Sequence, residues 1–537
     1  MRTLRTLMTA VALLGTMAAC ATAERVEMAN LVPANAKLLV ETVDAAGLRQ
    51  LLTESKFWAA LEETEAFCRW RASERHAEAE KRIDLLLAEL EMDRDEALKT
   101  YLGGRSALVI LPSGQEKPYG VFLTETTNEM AQKLAEAVGG QQVGRHQDVA
   151  IWEVVKDNRV DRMAWAGGVL MISGTRADEL EQVLDVVVGG GGSLGAGGDF
   201  FKATEGLPAG WRARVYAAEA KPRQSPGAVA MYPQGDSRVH FEWQIVSGPE
   251  DISLTRPTVL TGPKALPETA VAAVASAFYP GAIWEKAQAK VADQPDGPEK
   301  IRKAEMFIRG WFPGHSMESI TGGFGPEAAA ALVKGDAGGA PGLVGLVRLK
   351  PSGVPVAHAF KNGLAAKAMI LGALGQNQED PEKRINLNVR EEAYGDASLL
   401  IIEAPQALEK VLGNWANDIG LTVAVTNDWL IVGTTPAGVK KTIDTAAGGG
   451  PSLAADLTQA GEKVPAEPAT RWGVIQPASG ADIVLAWAEK LAGKERVEKA
   501  KKAVNLAELM KLVKRMIWQR TDEPQVIRGT ADIQAIE

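Results

Sequence analysis

Cysteine is almost absent from this sequence, whose 537 residues include only Cys20 and Cys68. Because Cys20 lies in an N-terminal segment that is either removed or acylated, as argued below, no intramolecular disulfide can form. Cys68 lies in a helical run, where a lone cysteine is more often a small buried apolar residue than a nucleophile. We therefore predict that Cys68 is buried and has a structural role.

Histidine is also scarce, and no two of the five histidines lie within 20 residues of each other. The sequence contains no His-Glu-x-x-His, no Cys-x-x-Cys and no calcium loop of alternating acids with a glycine. It therefore predicts no metal site and no cofactor. The five residues are His76, His146, His240, His315 and His358.

Catalytic motifs are equally hard to find. The segment nearest to a nucleophile elbow, Gly314-His315-Ser316-Met317-Glu318, lacks the second glycine, so we interpret Ser316 as a loop residue and helix cap. Gly190 to Gly195 formally fits Gly-x-Gly-x-x-Gly, but these glycines follow a predicted helix, whereas a phosphate loop must open one. We interpret this run as a helix stop and assign no catalytic residue.

Long hydrophobic runs are missing after the N-terminus. Arg2 and Arg5 precede a short apolar run, Leu7 to Ala19, and Ala21-Thr22-Ala23 fits a small-x-small cleavage site. A run of this length is too short for a bilayer, which needs about 20 residues. Residues 1–23 are therefore predicted to be a signal peptide cleaved after Ala23, and the protein to be exported to the periplasm or cell envelope.

Cys20 leaves a second reading of the N-terminus open. Met17-Ala18-Ala19-Cys20 looks like a bacterial lipoprotein box in which methionine replaces the more usual leucine. Acylation of Cys20 would tether the mature chain to a membrane, whereas cleavage after Ala23 would release it. This candidate anchor is the only membrane contact that we predict. The mild formal charge of −9 argues against nucleic acid as a partner.

An internal duplication organises the rest of the chain. Val169 to Thr175 and Trp429 to Thr435 are similar apolar segments, and each precedes an amphipathic run, three glycines and Ser-Leu. The match covers roughly 25 positions with a one-residue gap. Gly167-Gly168 and Asn427-Asp428 precede the two copies, and both pairs are of residue types that tolerate the positive φ of a type I′ hairpin turn.

These features predict an α+β fold with two homologous modules, each with a mainly antiparallel sheet flanked by helices. Module 1 covers residues 31–247, a linker covers 248–264, and module 2 covers 265–537 with C-terminal helices and a closing hairpin. Strands that alternate with helices could instead form a parallel sheet, but the hairpin signals favour antiparallel pairing. Helical periodicity predicts long helices over 45–62, 69–100 and 355–373.

Five short segments of the first half form a pattern that is shared with a known family: Val32-Pro33-Ala34, Phe57-Trp58, Leu170 to Ser173, Ser193-Leu194 and Asp199-Phe200. With them the chain resembles an exported bacterial family catalogued as domain of unknown function three-three-five-two. The second repeat departs from the pattern at Pro267-Glu268 and lacks an Asp-Phe pair. The resemblance implies export and tandem modules, and it carries no activity and no site.

The leading functional hypothesis is therefore a non-enzymatic envelope protein that binds a protein or a ligand. It rests on the lack of catalytic motifs beside duplicated features that serve turns and packing. One alternative is a carrier of an apolar ligand or lipid in a cleft between the modules. A lesser alternative is an unrecognised hydrolase.

Overall fold

The computed structural model describes most of the chain after the N-terminal segment and divides it into two compact units. Unit 1 comprises residues 1–247 and 525–537, and unit 2 comprises residues 248–524. The predicted signal peptide, Cys20 and Ala23 lie outside the described residues. The structure describes residues 27–43, 45–112, 119–156, 159–174, 177–220, 225–235, 237–247, 256–336, 339–376, 386–490 and 505–536.

Unit 1 is built on one antiparallel sheet. Its strand order is β4-β5-β6-β7-β3-β2-β1-β8-β9-β10-β20. The strands are β1 (Leu38–Thr42), β2 (Ser106–Leu111), β3 (Tyr119–Glu125), β4 (Gln141–His146), β5 (Val149–Lys156), β6 (Arg159–Ala166), β7 (Val169–Ser173), β8 (Ala213–Ala220), β9 (Ser225–Gln234), β10 (Arg238–Val246) and β20 (Val526–Ala535).

Helices cover this sheet. Leu180, Val183 and Leu184 of α7 are fully buried against the sheet and form much of the core of unit 1. The helices are α1 (Ala45–Thr53), α2 (Lys56–Glu63), α3 (Glu65–Arg71), α4 (Glu74–Leu90), α5 (Arg94–Leu102), α6 (Asn128–Ala137), α7 (Ala177–Val187) and α8 (Gly198–Thr204), and a 3₁₀ turn covers Met28–Leu31.

Unit 2 also has an antiparallel sheet, with the order β14-β15-β16-β17-β13-β12-β11-β18-β19. The strands are β11 (Ala270–Ala277), β12 (Phe324–Val333), β13 (Gly342–Leu349), β14 (Asn388–Tyr394), β15 (Ala397–Glu403), β16 (Gly420–Val425), β17 (Trp429–Gly433), β18 (Arg471–Ile475) and β19 (Val513–Asp522).

Several helices of unit 2 pack on this sheet, and a 3₁₀ turn covers Gly413–Asn417. They are α9 (Gly262–Ala265), α10 (Pro280–Ala292), α11 (Gly297–Arg309), α12 (Met317–Gly323), α13 (Gly353–Gln376), α14 (Pro405–Leu412), α15 (Pro436–Ala446), α16 (Leu453–Gln459) and α17 (Pro477–Lys490). Helices and antiparallel strands in each unit confirm the predicted α+β class. Within the described ranges, none of the helices combines the length and hydropathy of a membrane-spanning segment.

Nine strands of unit 1 and the nine of unit 2 follow one another in the same order, from β4 to β9 and from β14 to β19. In each unit, a backbone hydrogen bond also joins the segment before its first strand in the chain, β1 or β11, to the residues after the glycine run. Leu194 N–H donates to Val32 O at 2.7 Å in unit 1, and Leu453 N–H donates to Leu266 O at 2.8 Å in unit 2. These equivalent contacts support the proposal that the units arose by duplication.

The division of the chain differs from the predicted modules at two places. Strand β20 pairs with β10 and belongs to unit 1, whereas the closing hairpin was predicted as part of module 2. Part of the predicted linker is ordered within unit 2, where Thr258 forms a bridge with Ala469 and α9 follows. Residues 248–255 of that linker lie outside the described ranges.

Polar caps shorten the long helices that periodicity predicted. Ser55 ends one helix and begins the next, because its side chain accepts the N–H of Trp58. Ser73 and Asp93 act in the same way at the starts of α4 and α5. The predicted single helix over 69–100 is therefore wrong, since each such side chain satisfies an N–H group that a continuous helix would have bonded internally.

The two hairpin turns differ in chemistry. Gly167 and Gly168 have φ of 58° and 83°, as the type I′ prediction requires. Neither Asn427 nor Asp428 takes a positive φ, so that part of the prediction is wrong. Instead, Thr426 Oγ1 accepts the N–H of Trp429 at 3.0 Å, and this side-chain bond forms the turn.

Candidate functional site

The serine and glycine motifs have structural roles. Ser316 is the N-cap of α12, and its Oγ accepts the N–H of Ser319 at 3.2 Å, which confirms the predicted cap. Helix α7 ends before the glycine run, and the N–H groups of Gly190 and Gly191 donate to Asp185 O at 2.7 and 3.0 Å. These glycines therefore stop a helix, as predicted, and do not open one.

Cys68 is exposed, so the prediction that it is buried is wrong. It lies on the outer side of α3, a helix of seven residues that uses its aromatic neighbours for packing. Phe67 packs edge-on against Trp58 at a ring distance of 5.6 Å and contacts Trp70 at 5.2 Å. Helical periodicity placed Cys68 in a helix but did not say which face of it is buried.

Two of the five histidines contact carboxylates. His146 Nε2 lies 2.7 Å from Asp185 Oδ1. His240 contacts Asp532 through Nδ1 and Glu242 through Nε2, and these two nitrogens point in different directions from the ring. Across the part of the chain that the structure describes, no three His, Cys, Asp or Glu residues are placed to hold a metal ion.

Unit 1 contains a buried ion pair between Glu41 and Arg214. The side chains of Glu41 and Arg214 are 2% and 6% exposed, and the guanidinium also lies 4.5 Å from the Trp211 ring. Burial raises the pKa of Glu41, while Arg214 acts against this shift by favouring the carboxylate. Because the pair is enclosed, it serves the packing of unit 1 and is not open to a ligand.

Unit 2 has a pocket of about 280 Å³ near the start of α15, and six charged residues are among those that line it. Most of its charged groups neutralise one another: Lys441 Nζ lies 2.5 Å from Asp336 Oδ1, and Arg390 lies 3.2 Å from Glu403. A strongly charged ligand would have to displace bonds that already exist.

A second feature of unit 2 is a group of exposed apolar side chains on α11 and α13. Phe307 is 70% exposed, more than any other large hydrophobic side chain in the described residues. Ile370, Leu371 and Leu374 are each 60% or 61% exposed. We call these four residues, together with Trp311, the apolar surface of unit 2.

Contacts make this surface continuous. The Phe307 and Trp311 rings are 6.4 Å apart, and Lys367 Nζ lies 3.5 Å from the centre of the Trp311 ring. Ile370, Leu371 and Leu374 follow Lys367 by three, four and seven positions, so they share its helix face. The surface therefore extends from the end of α11 along the second half of α13.

The second half of α13 is arranged opposite to an ordinary amphipathic helix. Its buried positions are small: a Cβ at Gly363 would meet Trp311 O at 3.0 Å, Ala365 and Ala368 are buried, and Gly372 faces Leu387. The large apolar side chains of this half, from position 369 onwards, point to solvent instead. Water-soluble helices normally bury large apolar side chains, so this arrangement indicates a surface that another molecule covers.

The second half of α13 has no counterpart in unit 1. Helix α6 follows β3 as α13 follows β13, but α6 has 10 residues and α13 has 24. The extra length carries the exposed apolar residues. Sequence reasoning predicted a helix over 355–373 but missed the surface, although small residues at 363, 365, 368 and 372 were a signal for its packed face.

Comparison of the chain with protein-family models, with curated proteins and with solved structures found no match.

Proposed function

We propose that the protein is an exported, non-enzymatic binding protein of the bacterial envelope that acts through the apolar surface of unit 2. The observation that supports this proposal is the outward orientation of Phe307, Ile370, Leu371 and Leu374. Covering one such side chain is worth about 1.5–3 kcal/mol, so four of them form a strong potential contact. Ser316, in the segment nearest to a nucleophile motif, is a helix cap, and this role is consistent with the proposal.

Export is part of the proposal and rests on the N-terminal sequence. Arg2 and Arg5, the apolar run and the Ala21-Thr22-Ala23 site are typical of a signal peptide. The proposal allows two forms of the mature protein: a released protein that begins at Glu24, and a protein tethered through acylated Cys20. The resemblance to the exported family of unknown function is consistent with either state.

The duplicated architecture suggests why only one unit carries the surface. We propose that the two units descend from one module, and that the extension of α13 was added to unit 2 alone. In unit 1, α6 ends at Ala137, and its buried residues Ala131 and Ala135 face the sheet. A gain of apolar surface in one copy is typical of a new binding role in a duplicated protein.

Site-specific photo-cross-linking in cells tests the proposal. A benzophenone amino acid at Phe307 should yield a cross-linked product, whether the partner is protein or lipid. The yield should fall when Ile370 and Leu374 are both changed to glutamate. The matched control places the same probe at Phe201, a 60% exposed phenylalanine of α8 in unit 1. Equal yields from the two positions, or none from Phe307, would contradict the proposed role.

A further inference from the structure

We infer that the apolar surface of unit 2 binds the surface of a lipid membrane that contains anionic lipids. This inference rests on the proposed function, because it names the partner that covers the same surface. The apolar residues alone would fit many partners. The charges around them and the residue types favour a bilayer.

The charge around the surface is opposite in sign to that of the chain. Helices α11 and α13 together carry six lysines and arginines and two glutamates, whereas the whole chain has a formal charge of −9. One of the six, Lys361, is buried and bonded to Ser398. The other five are exposed or half-exposed on the same two helices as the apolar residues, and two of them, Lys300 and Lys303, are ion-paired with Asp296 and Glu299. The net positive charge of these helices favours approach to lipid phosphates.

Two of these cations have no ion-pair partner among the described residues. Arg302 and Arg309 are exposed, and neither forms an ion pair with any residue of the described ranges. By helical spacing they share a face of α11 with Met306, which is 56% exposed, while Phe307 lies on a different face. Cations on one face and apolar side chains on another are typical of helices that lie in a membrane interface.

The aromatic residues also suit an interface. Trp311 packs against Lys367, whose Nζ donates to Gly310 O at 2.6 Å, so an aromatic ring and a cation occupy the same edge of the surface. Tryptophan prefers the boundary between headgroups and hydrocarbon because its ring is apolar and its N–H is polar. Phe307, one turn away on α11, is free to insert further.

A second copy of the chain is a less suitable partner. Pairing two such surfaces would bring two pairs of net positive helices together, and like charges that meet across an interface oppose association. A membrane with anionic headgroups removes this repulsion and adds attraction. The same reasoning predicts that binding weakens as salt concentration rises.

Vesicle co-sedimentation tests the inference. The mature chain from Glu24 is used, so that no acyl group contributes. It should bind vesicles of phosphatidylcholine and phosphatidylglycerol about tenfold more tightly than vesicles of phosphatidylcholine alone. Phe307→Glu with Ile370→Glu should weaken binding about tenfold or more. Arg302→Glu with Arg309→Glu should remove the preference for phosphatidylglycerol.

The matched control is Phe201→Glu with Val155→Glu, which changes two exposed apolar residues of unit 1 to the same residue type. This variant should bind like the wild type, and thermal melting should show that all variants are folded. No vesicle binding by the wild type, or equal loss in the control, would overturn the inference. A dimer that Phe307→Glu abolishes would also overturn it, by assigning the surface to a second copy.

The outcomes also separate this inference from the proposed function. If vesicles are not bound but the probe at Phe307 cross-links to a protein, the lipid partner is wrong and the interaction role stands. If the protein binds no vesicles and the probe gives no cross-links, both the lipid inference and the proposed function are wrong.

Discussion

Arg214 lies opposite Glu41 on neighbouring strands, and two of its guanidinium nitrogens are 2.6 and 2.7 Å from Glu41 Oε1. Val32 and Leu266 make equivalent contacts in the two units, and Glu41 and Ala275 each lie nine positions further along the chain. Ala275 therefore occupies the position of Glu41 in unit 2, and its cross-strand partner is Trp472. One unit therefore fills this position of the sheet with an ion pair, and the other fills it with a buried tryptophan.

This difference predicts how the ion pair responds to mutation. Arg214→Ala leaves Glu41 buried without its partner and should destabilise unit 1 by about 3–5 kcal/mol. Glu41→Leu with Arg214→Met removes both charges at similar volume, so it should cost clearly less, as the apolar pair in unit 2 suggests. Denaturant unfolding of the three proteins measures this, and a double variant as unstable as Arg214→Ala would contradict it.

The two hairpin turns provide a second prediction. Gly168 has a φ of 83°, and a Cβ there would meet no heavy atom within 4 Å, so its substitution tests backbone strain alone. Gly168→Val should cost about 1–3 kcal/mol, because a β-branched residue is strained at positive φ. The matched change Asn427→Val in unit 2 should cost less than about 1 kcal/mol. If Gly168→Val and Asn427→Val lower the melting temperature equally, the two turns do not differ in backbone strain.

Much of the fold was accessible from the sequence because it depends on local signals. The Gly167-Gly168 turn, the apolar strand after it and the glycine stop after α7 all follow from nearby residues. The Glu41–Arg214 contact joins residues far apart in the chain, and no local pattern indicates such a pair. The apolar surface was missed for another reason: periodicity shows that Ile370 and Leu374 share a helix face, but not whether that face is buried.

Tyr101 provides a prediction about pH. Burial raises its pKa from 10.0 to about 12, and its hydroxyl donates to Met130 O at 3.1 Å. Because the folded pKa lies above the unfolded one, the contribution of Tyr101 to stability is present below pH 10 and is lost as the pH rises towards 12. Stability relative to Tyr101→Phe should therefore stay constant up to pH 10 and then fall. A constant difference throughout would show that this pKa is not raised.

Cys68 supplies a test of its unexpected exposure. In the folded mature chain, a maleimide should modify Cys68 at a rate close to that in denaturant, because no packed side chains need to open. Intact mass measures this directly, and Cys68→Ser is the control for modification elsewhere. Protection of Cys68 by about a hundredfold or more in the folded chain would contradict the exposed position.

Oxidative footprinting of the protein in its native envelope tests the central claim most directly. Met306 and Met369 are 56% and 60% exposed beside the apolar surface, so hydroxyl radicals should oxidise both in the purified chain. In intact envelopes both should be protected severalfold, while Trp70 and Phe201 of unit 1 should react as in the purified chain. If Met306 and Met369 react equally in the two preparations, nothing covers the apolar surface of unit 2 and the proposed function is wrong.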